Sequence, residues 1–224
     1  MNKRSLFRSV LITSALLLTG QGCALFGGNT TANGPDGGVF FSADKGVTWG
    51  QRVAIPTSSG KPNSIATLSI RTLTLDPSDH LAWYAGTQDN GLIYSYDQGQ
   101  SWQQPKDVAG GAVYAVSVDP RNKCVVYAAI NKTIMKTEDC NRTYKAIYTE
   151  SRDEFYMTAI AIDPKNSQIV YVGGTSGDVL KSVDGGKSWS VSKRFGDEVR
   201  QINVHPQDSN QVYVGLTNKG LNKS

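Results

Sequence analysis

The sequence predicts an all-β fold in which one short unit is repeated. Gly accounts for 23 of the 224 residues, and Asp, Asn, Ser and Thr recur between short apolar runs, which favours tight turns between strands. After the N-terminal segment, no apolar pattern keeps helical spacing for long, so we expect almost no helix. An eight-residue pattern, Ser/Thr-x-Asp-x-Gly-x-Ser/Thr-Trp, occurs four times, and we call it the octamer. Its copies are SADKGVTW at 42–49, SYDQGQSW at 95–102, TEDCNRTY at 137–144 and SVDGGKSW at 182–189.

Each octamer lies within a longer unit. Upstream of the second, third and fourth octamers, an apolar run ends in Asp-Pro and a predicted strand holding a tyrosine follows. A fourth run of this kind, ending in His-Pro, comes after the last octamer. These Asp or His residues are 43, 44 and 42 residues apart, and so are the tyrosines. A fixed period of about 43 with four short strands per unit is typical of a β-propeller blade. The repeated positions are Asp76, Asp119, Asp163 and His205, with Tyr84, Tyr127, Tyr171 and Tyr213.

The octamers are interpreted as structural turns rather than active sites. Strand three of a blade would end at the Ser or Thr, and strand four would begin near the Trp. The Asp carboxylate can accept backbone amides two residues on, and the Gly can take a left-handed conformation, as Asn can in the third copy. The aromatic ring would be buried between sheets. The residues given this role are Ser42, Asp44, Gly46 and Trp49; Ser95, Asp97, Gly99 and Trp102; Thr137, Asp139, Asn141 and Tyr144; and Ser182, Asp184, Gly186 and Trp189.

With these octamers the sequence resembles the Asp-box, or BNR-repeat, β-propeller family over about residues 37–224. That family includes sialidases, xyloglucan-cleaving glycosidases, the sortilin ectodomain and photosystem II assembly/stability factors. The regular repeat sequence, as in IAIDPKNSQIVYVGGTSGDVLKSVDGGKSW, is most similar to the assembly-factor and sortilin-like branches. The resemblance implies a propeller fold. It does not decide whether the protein is an enzyme or a binding protein, because one fold hosts many functions.

Residues 1–22 are interpreted as a lipoprotein-type signal peptide. A basic start is followed by VLITSALLLTG at 10–20, which is too short to span a bilayer comfortably. Cys23 is then the predicted lipid-attachment residue, although Gly20 stands where such signals usually carry Leu. A plain secretory peptide is the alternative. Both interpretations place the mature chain outside the cytoplasm, as a membrane-anchored lipoprotein of the periplasm or cell surface in the first case.

Removal of the leader changes the charge balance. Three of the 23 Lys and Arg residues precede Cys23, so 20 remain against 19 acidic residues, a net charge of +1. A nearly neutral chain lacks the excess positive charge with which proteins bind the phosphates of nucleic acid. We therefore expect a protein or glycan partner, membrane attachment through the lipid, and no cofactor.

Three segments follow from these patterns. Residues 1–22 form the leader, residues 23–36 a flexible tether rich in Gly, Asn and Thr, and residues 37–224 the propeller. We expect a partial ring of about four to five blades, with about 2, 4, 4, 4 and 3 strands. Ser224 lies 42 residues after Ser182, at the first position of a fifth octamer, so we expect the N-terminal part of a longer propeller.

Cys124 and Cys140 occur in one unit only. If Asn131-Lys132 is a hairpin turn, Cys124 lies opposite Asp139 and beside Cys140. In an oxidising compartment this placement predicts a disulfide. Two free thiols are the alternative.

Acidic residues without a turn role cluster before the predicted first strands. Paired carboxylates there could serve glycosidase acid–base chemistry, although acids in polar loops are more often simply solvated. His80 and His205 have no partner at metal-ligand spacing, so no metal site is predicted. The unassigned acids are Asp107, Asp153, Glu154, Asp197 and Glu198.

Four residues stand five positions before the repeated Asp or His, and we call them the mouth positions. First strands line the central channel of a propeller, so these residues would lie near one mouth. Arg and Tyr are favoured at binding hot spots, so these positions are the candidate contact surface. The alternative is that they are ordinary surface residues at the starts of strands. The resemblance to the assembly-factor branch implies a non-enzymatic binding or assembly scaffold, with a secreted glycoside hydrolase as the alternative. The mouth positions are Arg71, Tyr114, Thr158 and Arg200.

Overall fold

A computed structural model describes residues 36–58 and 63–223. The predicted leader, the lipid-attachment residue Cys23 and the tether up to residue 35 lie outside the described residues. Within the described ranges, no helix is long and apolar enough to cross a membrane. The structural account below therefore concerns the repeated sheets.

The described residues form antiparallel sheets and one short 3₁₀ turn, Lys106–Val108, so the all-β prediction is confirmed. Sheet 1 contains β1 and β2, sheet 2 contains β5–β7, sheet 3 contains β8–β11, sheet 4 contains β12–β15 and sheet 5 contains β16–β18. The strands are β1 Val39–Phe41, β2 Gly50–Arg52, β3 Ala54–Ile55, β4 Asn63–Ser64, β5 Ile70–Leu75, β6 Trp83–Thr87, β7 Leu92–Ser95, β8 Val113–Asp119, β9 Asn122–Ile130, β10 Thr133–Thr137, β11 Lys145–Thr149, β12 Met157–Ile162, β13 Val170–Gly174, β14 Asp178–Ser182, β15 Ser190–Arg194, β16 Val199–Val204, β17 Val212–Leu216 and β18 Gly220–Lys223.

Sheet 2 differs from the expected four strands. Its fourth strand is reduced to a single bridge between Tyr94 and Gln103, joined by two backbone hydrogen bonds of 2.8 and 2.9 Å. Pro105 stands two residues later, at the next position that would donate to the ladder, and it has no N–H. The Trp102 amide instead donates to Ala54 O, and Ala54 belongs to a small β3–β4 ladder that the repeat did not predict.

The octamer closes its turn with one hydroxyl and one carboxylate. In the fourth copy, Ser182 Oγ accepts the amides of Gly186 at 2.8 Å and Asp184 at 3.3 Å. Asp184 Oδ1 accepts the amides of Lys187 and Ser188, both at 2.9 Å. The carboxylate therefore reaches amides three and four residues on, not two as expected. The hydroxyl takes the nearer amides, and the two acceptors satisfy the turn together.

Three of the four octamers place their aromatic residue against the preceding sheet. Trp102 is fully buried, and its Nε1–H donates to Arg52 O at 3.0 Å. Tyr144 is buried in the core shared with sheet 2, and Trp189 packs against the core of sheet 3. Trp49 is 64% exposed, contrary to the expectation of a buried ring, because no described sheet precedes sheet 1.

The third octamer replaces Gly with Asn141, whose backbone is left-handed with φ of 67°. Its side-chain amide donates to Tyr84 Oη at 3.1 Å and Tyr96 Oη at 2.7 Å, and its carbonyl oxygen accepts from Tyr144 Oη at 2.6 Å. Buried polar groups need such partners. Because Tyr84 and Tyr96 belong to sheet 2, the substitution adds a side-chain link between sheets 2 and 3.

Cys124 and Cys140 are joined by a disulfide across 16 residues. The hairpin of β9 and β10 pairs Ile130 with Thr133, and the Cys140 amide donates to Cys124 O at 3.2 Å. Cys140 is itself left-handed, with φ of 58°. The crosslink thus secures the octamer turn that lacks glycine at both of its central positions.

Removal of the octamer hydroxyl tests the structural role of the turn. Ser182→Ala should lower the free energy of unfolding by about 1–3 kcal/mol, because the buried Gly186 amide loses its acceptor. Ser42→Ala is the matched control: Ser42 Oγ makes the same bond to Gly46 N, but Gly46 is exposed, so water can replace the hydroxyl. Urea denaturation measures both variants, and equal losses would contradict the role of burial.

Candidate functional site

The mouth positions and the loop acids lie at the same end of the sheets. First strands begin near Arg71 and its equivalents, and they end at the Asp-Pro or His-Pro turns. The octamers lie beside those turns, as the bond from Gly185 N to Gln168 O illustrates. The loops from each fourth strand to the next first strand return to the opposite end. We call this end the loop face.

Each mouth position is an extra residue in its first strand. The pairing register shifts between Ile70 and Thr72 in β5, and at the matching points in β8, β12 and β16. Such β-bulges re-aim a side chain and are over-represented next to functional sites. The repeat period therefore predicts equivalent backbone positions, although it did not reveal the bulges. The bulged residues are Arg71, Tyr114, Thr158 and Arg200.

Arg71, Tyr114 and Tyr156 form a continuous arrangement that we call the Arg–Tyr stack. The Arg71 guanidinium lies over the Tyr114 ring, 4.2 Å from its centroid. Tyr114 stacks on Tyr156 with centroids 5.4 Å apart and an interplanar angle of 28°. Arg71 Nη1 also donates to Gln88 Oε1. Arg71 and Tyr156 are exposed and Tyr114 is partly exposed, so the stack is accessible from the loop face.

The other two mouth positions do not join this stack. Thr158 is buried, and its hydroxyl donates to Val199 O in the next sheet, so its side chain is not available to a ligand. Arg200 is exposed but bonds within sheet 5, to Thr217 Oγ1 at 2.9 Å and Glu198 Oε2 at 3.4 Å. The four positions therefore do not form the continuous exposed set that their spacing suggested.

Tyr156 was missed by the sequence reasoning because it precedes the repeated strand. Two hydrogen bonds to Thr175 fix the backbone of Tyr156. The Tyr156 amide donates to Thr175 Oγ1 at 3.1 Å, and the Tyr156 carbonyl accepts the Thr175 amide at 3.0 Å. The preceding Phe155 lies directly under Gly174, where an added Cβ would clash with the Phe155 ring. The adjacent aromatic residues of EFY at 154–156 were the available signal.

Three of the loop acids have structural partners. Glu198 Oε2 accepts from Thr217 Oγ1 at 3.3 Å and lies 3.4 Å from Arg200. Asp107 Oδ2 accepts the Tyr144 amide at 2.9 Å. Asp197 Oδ2 accepts the amides of Asn218 and Lys219 at 2.7 and 2.8 Å, and these bonds, that of Asn218 foremost, lower the pKa of Asp197. A carboxyl with a lowered pKa is poorly suited to act as a general acid.

The remaining loop acids are more open. Asp153 is fully exposed and lies 3.8 Å from Lys132 Nζ. Glu154 is exposed and has a left-handed backbone with φ of 56°. A cleft of about 610 Å³ brings Asp107, Lys132, Glu154 and Tyr156 together. The cleft adjoins the Arg–Tyr stack through Tyr156, so the two sets of residues predicted as rival sites share one surface.

An ion network of two buried carboxylates and two exposed arginines supports this loop. Arg152 donates to Glu150 Oε2 and to Asp178 Oδ2, both at 2.8 Å, and its guanidinium lies 4.4 Å from the Phe155 centroid. Glu150 and Asp178 are both buried, and Arg194 lies 3.3 Å from Asp178. The hydrogen bond from Arg152 lowers the pKa of Glu150 to about 2. No sequence spacing links Glu150 to Asp178, so the network was not predicted.

Among residues 36–58 and 63–223, no group of three or more His, Cys, Asp or Glu side chains is placed to hold a metal ion. His205 Nδ1 instead accepts backbone amides in its own turn.

Comparisons with known proteins support the fold. No protein-family model matches the chain. It is 31% identical over 151 residues to a xyloglucanase from Hypocrea jecorina (strain QM6a), covering 57% of this chain and 18% of that enzyme. The GH74 xyloglucanase from Xanthomonas campestris matches with a TM-score of 0.64 and 17% identity over 84% of this chain and 33% of that one. YCF48 from Cyanidioschyzon merolae matches with a TM-score of 0.58 and 14% identity over 84% and 62%.

The chain thus spans less than two thirds of each of these proteins. At 14% and 17% identity, the two solved structures show the fold alone. The prediction of a β-propeller with four-stranded blades is confirmed. The neighbours include both glycoside hydrolases and YCF48, so the fold by itself does not choose between the predicted functions.

The low pKa of Glu150 gives a testable pH dependence. A carboxyl whose folded pKa is depressed adds stability above its unfolded pKa, near 4.3, and loses that contribution as the pH falls through the folded value. Wild-type protein should therefore lose thermal stability more steeply than Glu150→Gln between pH 4.5 and about 2. Circular dichroism melting measures the difference. Asp153→Asn, at a fully exposed acid, serves as control and should follow the wild-type profile.

Proposed function

We propose that this chain is a non-enzymatic extracytoplasmic binding or assembly scaffold whose contact surface is the Arg–Tyr stack. The stack itself carries the proposal: an exposed arginine and two tyrosines are aligned on the loop face by neighbouring sheets. Arg and Tyr are enriched among residues that dominate binding energy. Because each ring is already held by its neighbour, binding would cost little additional side-chain entropy.

The chemistry of the stack suits a partner of mixed polarity. In the described part of the chain, no carboxylate oxygen lies within 4 Å of a guanidinium nitrogen of Arg71. Its remaining N–H groups can donate to a carboxylate or carbonyl of a partner, while the tyrosines offer apolar faces with polar edges. These properties fit a protein or a glycan and supply no basic patch for nucleic acid.

A secreted glycoside hydrolase is the second candidate. The similarity to the Hypocrea jecorina xyloglucanase and the cleft containing Asp107 and Glu154 favour it. Glycoside hydrolysis needs one carboxylic acid and one carboxylate on either side of the scissile bond. Asp107 is occupied by the Tyr144 amide, which argues for the scaffold.

A photo-crosslinking experiment tests the scaffold proposal. A crosslinkable amino acid at Tyr114 should trap a partner from envelope extracts, whereas one at Leu81, exposed at the opposite end of the sheets, should not. With that partner purified, Arg71→Ala and Tyr114→Ala should each weaken binding by about 1–3 kcal/mol. Arg142→Ala, at an exposed arginine of the third octamer, is the matched control and should bind normally.

The same purified protein should release no reducing ends from xyloglucan, mixed-linkage β-glucan or sialosides. Hydrolysis that disappears in Asp107→Asn or Glu154→Gln would overturn the scaffold proposal in favour of the hydrolase.

The leader motivates a proposal about location. We expect Cys23 to be lipidated and to anchor the chain at an extracytoplasmic membrane surface. Metabolic labelling with a radioactive fatty acid should mark the wild-type protein, and Cys23→Ser should abolish the label. Cys124→Ser is the matched control because it removes a cysteine outside the leader. An unlabelled, released wild-type protein would contradict the anchor.

A further inference from the structure

The turns that join first and second strands are closed by the repeated Asp or His. In sheet 4, Asp163 Oδ1 accepts the amides of Lys165 at 2.8 Å and Asn166 at 3.3 Å. Asp76 and Asp119 each accept the amide two residues on in the same way, at 2.8 Å. In three sheets, therefore, a carboxylate closes this turn.

Sheet 5 closes the same turn with an imidazole. His205 Nδ1 accepts the amides of Gln207 at 3.2 Å and Asp208 at 3.1 Å. This geometry requires the neutral tautomer that carries its proton on Nε2. A carboxylate remains an acceptor in mild acid, whereas a protonated imidazole has two donor nitrogens and no acceptor. With His in place of Asp, protonation of Nδ1 would remove the acceptor that closes this turn.

Charged groups lie in the same turn and in the preceding sheet. Asp208 lies in the same turn, and its pKa is lowered, chiefly by the Gln211 side chain and then by the Asn210 amide, so it stays anionic in mild acid. From the preceding sheet, Lys165 Nζ donates to Gln207 O at 2.5 Å. An imidazolium is attracted to Asp208 and repelled by Lys165 and by the two amide N–H groups that it faced when neutral.

The turn is also attached to the neighbouring sheet. Ser209 Oγ donates to Asp163 Oδ1 at 2.6 Å, and Lys165 contacts the carbonyl of Gln207. Movement of residues 205–211 therefore alters two contacts between sheets 4 and 5.

We propose that His205 is a pH-operated clip, which holds the 205–211 turn when neutral and releases it when protonated, so that sheet 5 is held less tightly to sheet 4 in mild acid. The proposal is independent of the binding function assigned to the loop face, because the clip lies at the opposite end of the sheets.

Nuclear magnetic resonance of ¹⁵N-labelled protein tests the clip. Amide exchange protection at Gln207, corrected for intrinsic rates, should fall about tenfold between pH 8 and pH 5, the range in which imidazoles titrate. The Asp208 amide also donates to His205 O at 3.3 Å, so its protection should fall less. The amides of Lys165 and Asn166, held by Asp163, are an internal control and should keep their protection. Imidazole ¹⁵N shifts at pH 8 should show an unprotonated Nδ1.

His205→Asn separates the clip from other effects of acid, because its amide oxygen can accept the same bonds without titrating. The difference in protection between the two pH values should disappear in this variant. Equal pH responses at the His205 and Asp163 turns would overturn the proposal. So would a proton on Nδ1 at pH 8, or a pH response that persists in His205→Asn.

Discussion

The contact between each octamer and the sheet before it joins successive sheets. At the junction of sheets 3 and 4, Tyr127 Oη and Lys136 Nζ both donate to Gly185 O at 2.9 Å, while Trp189 packs on the core of sheet 3. A single turn thus contributes both polar and apolar contacts to its neighbour. The aromatic packing recurs at the three junctions from sheet 1 to sheet 4, through Trp102, Tyr144 and Trp189, whereas the polar contacts differ from one junction to the next. The order and spacing of these sheets therefore follow from the octamers.

The loop face depends on that arrangement. Tyr114 belongs to sheet 3, Arg71 to sheet 2, and Tyr156 to the loop before sheet 4, so the Arg–Tyr stack exists only while three sheets keep their relative positions. Interlocked contacts of this kind transmit small displacements, since packed interiors deform little. The ion network of Arg152, Glu150 and Asp178 fixes the loop between sheets 3 and 4 in the same way. The octamer contacts at one end of the sheets therefore help to position the Arg–Tyr stack at the other end.

Repetition explains what could be predicted from the sequence. The octamer chemistry and the period defined the strands of sheets 3 and 4, and they identified the mouth positions as equivalent. Features that occur once were not predictable in this way. Tyr156 and the Glu150–Asp178 network arise from contacts between loops of different sheets, and the shortened fourth strand of sheet 2 reflects the local effect of Pro105. Thr158 showed the limit of equivalence, because the same backbone position is buried in one sheet and exposed in another.

The recurrent bulge has a consequence for how such a protein can change over evolution. Arg71, Tyr114, Thr158 and Arg200 differ in size and charge, yet they occupy one backbone geometry. The ladder on either side of the bulge remains paired whichever side chain is present. Mutation at these sites can therefore diversify the surface blade by blade while the octamers preserve the scaffold. Arg71, Tyr114 and Arg200 expose at least part of their side chains and can vary at little cost to folding. Thr158 is buried and bonded to the next sheet, so variation there also affects packing.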